Sequence, residues 1–184
     1  MDQNLNFEKA RSYALRLLKA RIRSERELVE RMKRKGYSKE VSEKIASDLK
    51  RVGLLNDQRF ARLFALDEIE LRCKGPRYIK YKLKMFGVND ELISQTLDEV
   101  MEEVDLKEVF ARFVRSRSAK SRDKIVEGLI RRGFDSHTVH ETLLEIFDDW
   151  RCDDESRNDA RTDIRSRSHT RGNNGLSDGQ DERA

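Results

Sequence analysis

The residues of this chain best suited to a chemical task are cations. From Arg72 to Val88 the chain carries Arg72, Lys74, Arg77, Lys80, Lys82 and Lys84 and no acidic residue. Arg77, Lys80 and Lys84 recur at i, i+3 and i+7, so on a helix they share one face while Ile79, Leu83 and Phe86 point to another. Such a face can grip phosphates or carboxylates; the alternative is an ordinary solvated helix surface. Smaller basic groups are Arg21 with Arg23, Lys33-Arg34-Lys35, and Arg122, Lys124, Arg131 and Arg132. Lys33 to Lys35, like Arg131 and Arg132, fall in the last turn of a helix, where cations offset the macrodipole, and that alone accounts for them. The candidate partner-binding residues are therefore Arg72, Lys74, Arg77, Lys80, Lys84, Arg21, Arg23, Arg122 and Lys124. Tyr78 and Tyr81 interleave with the central run and either stack on nucleic-acid bases or fill the core.

Groups for bond-breaking are scarce. His137 and His140 are spaced i, i+3, without a Glu-x-x-His partner or a neighbouring cysteine to complete a metal site, and His169 stands alone near the C-terminus. Cys73 and Cys152 are far apart and outside any Cys-x-x-Cys spacing, the pattern of incidental thiols in a reducing compartment. Phosphate-binding loops, the nucleophile elbow and the dinucleotide fingerprint are missing. The reading is a non-enzyme that needs no metal or cofactor and works by binding. The N-terminus has no apolar signal region, and no stretch approaches the roughly 20 apolar residues of a membrane span, so a cytoplasmic location is expected.

The elements that must position the cations are helices. Of the 184 residues, 36% are hydrophobic and 40% charged, which fits slender helices with one apolar stripe each. Gly36, Gly87 and Gly133 each follow apolar residues four and eight positions upstream: Met32 and Leu28, Leu83 and Ile79, Leu129 and Ile125. Each is followed by an apolar residue (Tyr37, Val88, Phe134) and then an N-cap residue (Ser38, Asn89, Asp135). A glycine at C′ adopts the left-handed conformation that ends a helix, and the next residue packs back on C3, here Met32, Leu83 or Leu129. The starts agree: Ser24 with Glu27 has the capping-box spacing, Gly75-Pro76 puts proline at the first helical position, and Ser121 can cap the third such helix.

A second helix follows each turn, with stripes Val41, Ile45, Leu49 and Val52, then Leu92, Leu97 and Val100, then Val139, Leu143 and Ile146. Upstream helices begin near Asn6, Asp57 and Asp105 and carry Tyr13, Ala14, Leu17 and Leu18, then Phe60, Leu63 and Phe64, then Val109, Phe110 and Phe113. The fold class expected is all-α: three tandem three-helix repeats, over 1–53, 54–103 and 104–149, stacked as an elongated, curved rod. Residues 150–184 hold few aliphatic side chains and read as a disordered, charged tail. Residues 148–184 carry a net charge of −3, leaving +7 on residues 1–147, so the helical body is the basic part. A basic body favours a polyanionic partner.

Arg21-Ile22-Arg23-Ser24-Glu25-Arg26-Glu27-Leu28, followed by Met32 and Gly36-Tyr37-Ser38, resembles the opening repeat of the RecX family of recombinase regulators. Leu55, Asp57, Phe60 and Ala61, then Arg72, Lys74-Gly75-Pro76, Ile79, Leu83 and Gly87-Val88, are similar to that family's central repeat. The resemblance covers roughly residues 8 to 147, the third repeat matching in architecture more than in identity. Lys82 departs from it, standing where the family usually has an acidic residue.

The resemblance implies a small helical protein that binds the RecA filament on DNA, lies along its groove and restrains recombinase and coprotease activity in DNA repair, recombination and the SOS response. The partners expected are the RecA filament and DNA, single- or double-stranded, with no membrane and a monomeric chain. Two alternatives remain open on the residues alone. One is a basic helical DNA-binding protein that acts without RecA; the other is a scaffold whose repeat surface holds a different protein.

Overall fold

In the computed structural model of this chain the described residues are 2–117 and 121–147, with side chains from residue 6. The expected tail over 150–184, with Cys152 and His169, lies outside the described residues. The described residues up to 142 belong to one compact unit; residues 143–147, the described part of a second, are helical, with Leu143 and Ile146 buried.

Among the described residues the chain is all-helical. The first triad is α1 (Asp2–Ala20), α2 (Glu25–Arg34) and α3 (Lys39–Arg51). The second is α4 (Asp57–Leu66), α5 (Pro76–Met85) and α6 (Asp90–Glu103), with a π-helical segment, Asp67–Leu71, continuing α4. The third opens with α7 (Leu106–Arg115) and α8 (Arg122–Arg131), and α9 starts at residue 136.

Local chemistry explains the punctuation. Gly36, Gly87 and Gly133 have φ of +101°, +81° and +100°. After each, a backbone N–H reaches five residues back: Tyr37 to Met32 (3.2 Å), Val88 to Leu83 (3.1 Å) and Phe134 to Leu129 (3.4 Å). That is the bond of a glycine-terminated helix, with the expected apolar pair beside it. The following caps are Ser38, Asn89 and Asp135, whose side chains accept N–H groups of Val41 (3.3 Å), Leu92 (2.7 Å) and His137 (2.9 Å).

In the first repeat α1 lies against α2 and α3 through Ala10 and Ala14, both fully buried, so that the helices approach Leu28, Met32, Ile45, Ala46 and Leu49 closely. Each large apolar side chain so buried contributes roughly 1.5–3 kcal/mol. In the second repeat Phe60 meets Phe86 edge-to-face at 5.4 Å; in the third Phe110 meets Phe134 likewise at 4.8 Å.

Five departures from the periodicity are instructive. Helix α1 starts at Asp2 rather than near Asn6, and Asn56, not Asp57, caps α4 by accepting the Arg59 N–H at 2.9 Å. Val52 is 60% exposed because α3 stops at Arg51 and Gly53, at φ +75°, turns the chain away. Leu63 is also exposed, its place in the core taken by Ala61 and Ala65. The π-segment widens the helix so that Ile69 and Glu68 both turn inward. Beyond its end Cys73 takes φ +51°, and the Lys74 N–H turns back to the Glu68 carbonyl at 2.8 Å.

Candidate functional site

Consecutive repeats are joined by the same device. The residue that starts the middle helix of one repeat meets the carbonyl just before the turn glycine of the next. At the first junction Ser24 caps α2 by accepting the Glu27 N–H at 3.1 Å, and its hydroxyl also donates to the Phe86 carbonyl at 2.7 Å. Asp57 accepts the Glu25 N–H at 2.8 Å, and Lys50 pairs with Glu25 at 2.8 Å. At the second junction the backbones themselves meet: the Gly75 N–H donates to the Arg132 carbonyl at 2.9 Å and the Arg77 N–H to the Gly133 carbonyl at 3.2 Å. A Cβ on Gly75 would stand 2.3 Å from the Gly133 carbonyl carbon and the Phe134 nitrogen. Only glycine permits this approach.

That close docking opens a basic cleft beside it, of about 520 Å³, lined by Lys74 from the second repeat and by Phe113, Arg117, Lys124, Glu127, Gly128, Arg131 and Arg132 from the third. A second hollow of about 310 Å³ shares Phe113, Arg117 and Arg132 with it and adds Arg72 and Arg112. The Phe113 ring forms the floor, and Gly128 makes room for it, since a Cβ there would meet Phe113 Cζ at 3.3 Å. Above the ring sit two guanidinium groups, Arg117 at 4.0 Å and Arg132 at 4.9 Å from its centroid. Cations held this way are oriented without being neutralised.

Arg132 is also a structural tie, donating to the carbonyls of Arg72 (2.7 Å) and Cys73 (3.4 Å). Glu127 offers the cleft little compensation; its carboxylate is exposed and reaches Arg131 only at 4.0 Å. Lys74 lies over the Tyr78 ring at 4.7 Å, and Lys124 is exposed with no ion pair among the described residues. Among the described residues the cleft thus gathers cationic side chains with little acidic compensation.

The structure distributes the nine sequence-derived candidates. Lys74 and Lys124 come together in the cleft, and Arg72 lines the adjoining hollow while pairing with the buried Glu68 at 2.6 Å. Arg77 spans the junction, donating to the Phe134 carbonyl at 3.3 Å and approaching Asp135 at 3.8 Å. The Asp135 carboxyl is held below the usual carboxylate range chiefly by the Thr138 N–H. Lys80 stands exposed on α5, and Lys84 pairs with Asp90 at 2.8 Å. Arg122 is exposed in the first turn of α8. Arg21 binds Glu27 at the surface, whereas Arg23 is 6% exposed and committed to Glu27 and the Leu17 carbonyl, which makes it a framework residue rather than a surface contact.

Arg112 and Arg117 were not singled out by sequence. The signal that finds Arg117 is its position four residues after Phe113 at the end of α7. Of the tyrosines, Tyr78 is half-buried between Lys74 and Lys82, and Tyr81 is exposed. His137 pairs with Glu141 at 3.0 Å and His140 Nδ1 lies 2.7 Å from the Ser136 carbonyl. Cys73 is a buried free thiol, its pKa pushed up to about 11 by burial, far from thiolate chemistry at neutral pH. No helix among the described residues is long and apolar enough to cross a membrane.

Comparison with known proteins agrees with this architecture. The family profile described as RecX, first three-helix domain, matches residues 10–49, and that described as RecX, second three-helix domain, matches residues 56–97. "Regulatory protein RecX" of Thermotoga maritima is 44% identical over 144 residues, spanning 78% of this chain and 88% of its own length. The protein of the same name from Chlorobium phaeobacteroides is 28% identical over 143 residues, 76% of this chain and 95% of its own. The crystal structure of RecX from Lactobacillus salivarius shares the fold with a TM-score of 0.65 at 20% identity, covering 77% of this chain and 96% of that one. A second crystal structure, of a regulatory protein RecX, gives a TM-score of 0.62 at 27% identity over 76% of this chain and 72% of that one. With identity at this level over most of both chains, the chain belongs to the RecX family of regulatory proteins.

Proposed function

We propose that this protein binds the RecA filament on DNA and restrains its recombinase and coprotease activity without catalysing a reaction itself. The observation that carries the reading is the cation-lined cleft built where the second and third repeats dock, in a chain of the RecX family. A filament of protein on nucleic acid presents repeated anionic groups, and a rigid array of repeats meets several of them at once. The contacts come from Lys74, Lys124 and Arg72 around the cleft and from Arg77, Lys80 and Lys84 on the neighbouring helix.

The test is a titration of the purified chain into a preformed RecA filament on single-stranded DNA, read as ATPase rate, beside its binding to the same DNA alone. The reading expects inhibition well below the concentration that coats naked DNA; an unchanged ATPase rate at saturation overturns it. The basic cleft also favours a second reading, DNA binding without RecA. Inhibition appearing only where the naked DNA is already coated would select that one.

A further inference from the structure

We infer that the cleft between the second and third repeats is a nucleic-acid backbone site, taking consecutive phosphodiester groups between Lys74, Arg117, Lys124 and Arg131. The inference rests on the proposed action on a DNA-bearing filament and names which part of the molecule holds the DNA strand.

Composition of the walls decides between nucleic acid and an acidic protein segment. Among the described residues, five cations, Lys74, Arg117, Lys124, Arg131 and Arg132, and one carboxylate, Glu127, line the cleft. Protein segments bind most tightly where a large side chain is anchored in a desolvated pocket. Among the described residues the one apolar side chain lining this cleft is Phe113, which is 5% exposed and has two guanidinium groups over its ring. What remains accessible is a dense array of N–H donors, which suits a partner whose charge repeats along its length.

The donors are also prepared for phosphate. The Arg117 guanidinium lies 4.0 Å from the Phe113 centroid and bonds the Ser116 hydroxyl at 2.8 Å, so its planar fork is oriented before a ligand arrives. Arg132 is fixed by the Arg72 carbonyl at 2.7 Å and sets the junction between the two hollows. Those hollows, about 520 and 310 Å³, share Phe113, Arg117 and Arg132, so a strand with one phosphate in the larger can continue past the smaller, where Arg72 and Arg112 outnumber Glu70. Lys74 belongs to one repeat and the other four cations to the next, so the complete site exists only when the repeats are docked.

The experiment is fluorescence anisotropy of a labelled oligothymidylate with the full chain, without RecA, over a series of salt concentrations. The variant R117A/K124A/R131A is compared with K39A/K44A/R51A, which removes three positive charges from the first repeat. The cleft variant is expected to bind about tenfold more weakly, its log-log salt slope shallower by roughly two units, as three lost single-strand phosphate contacts require. The first-repeat variant should stay close to the parent. K124E, at an exposed position without an ion pair among the described residues, repeats the test should the triple variant fold poorly.

Equal losses in the two triple variants, or an unchanged slope in the cleft variant or K124E, overturn the assignment. So does displacement of the oligonucleotide by polyglutamate at the same charge concentration as by unlabelled oligonucleotide, which would make the cleft an acidic-protein site. Inhibition of RecA by the unmodified chain is read separately, so a failed cleft and a failed filament reading are told apart.

Discussion

The two repeat junctions use one geometry and opposite chemistry. At the first, side chains mediate the contact: the Ser24 hydroxyl on the Phe86 carbonyl, and the Asp57 carboxylate on the Glu25 N–H. Its surface hollow contains Glu25 and Asp57 against Lys50. At the second, backbone meets backbone at Gly75 and Gly133, and cations crowd the hollow beside it. A junction mediated by side chains neutralises its own charges. The glycine-mediated junction commits Arg132 and Arg77 to carbonyls but leaves Lys124 and Arg117 without an ion pair among the described residues, and it is there that the proposed nucleic-acid site lies.

The largest effect should come from Gly75→Ala. A methyl group 2.3 Å from two backbone atoms cannot be relieved by rotating a side chain, so the repeats must separate or the loop must shift, at about 3 kcal/mol. Urea unfolding followed by circular dichroism should show either that loss or a split into two transitions, with the third repeat melting first. A single transition at the parent's midpoint would mean that the close approach does not hold the repeats together. The same variant should lose oligonucleotide affinity, because Lys74 moves away from the other cleft cations.

Ser24→Ala is the matching change at the first junction. It removes an N-cap and a cross-repeat hydrogen bond, both buried, and should cost about 1–2 kcal/mol in the same assay. Oligonucleotide affinity should not change. A loss of affinity comparable with that of Gly75→Ala would erase the distinction between the junctions.

Asp57→Asn should have the smallest effect. Burial is the main reason the Asp57 carboxyl lies above its ordinary range, and the Glu25 N–H offsets this only in part. A carboxyl raised on folding contributes stability that is present at low pH and is lost as pH rises through the folded-state value. Asparagine retains an oxygen for the Glu25 N–H and does not titrate. The variant should therefore stay within about 1 kcal/mol of the parent and gain on it between roughly pH 4 and pH 7. Unfolding midpoints across that range check the sign; a difference moving the other way would mean that attraction to Lys50 outweighs burial.

Most of the scaffold could be read locally. A glycine-ended helix requires an apolar C3, a glycine and an apolar successor within a few residues, and all three such turns have the predicted bond. Proline at the start of α5 was equally legible. The π-segment was not, because one extra residue in a helical turn leaves the apolar spacing almost unchanged while rotating everything after it. Val52 and Leu63 fit the stripes by type and lie outside the core because of where α3 ends and where the alanines of α4 point.

The cleft was legible only in fragments. Lys74 and Lys124 are 50 residues apart in the chain and share it because Gly75 and Gly133 touch. Arg132 had a sufficient local explanation at the end of α8, and that explanation conceals its bond across the junction. Arg23 shows the opposite error, a cation in a basic run that the fold buries against Glu27.

On the proposed function, the second junction engages a RecA filament on DNA. The most direct test is inhibition of the single-stranded-DNA-dependent ATPase of a preformed RecA filament by the unmodified chain and by K74E/K124E, with helicity verified for both. The unmodified chain should inhibit, and the variant should need at least a tenfold higher concentration for the same inhibition; superimposable inhibition curves would place the contact away from this junction.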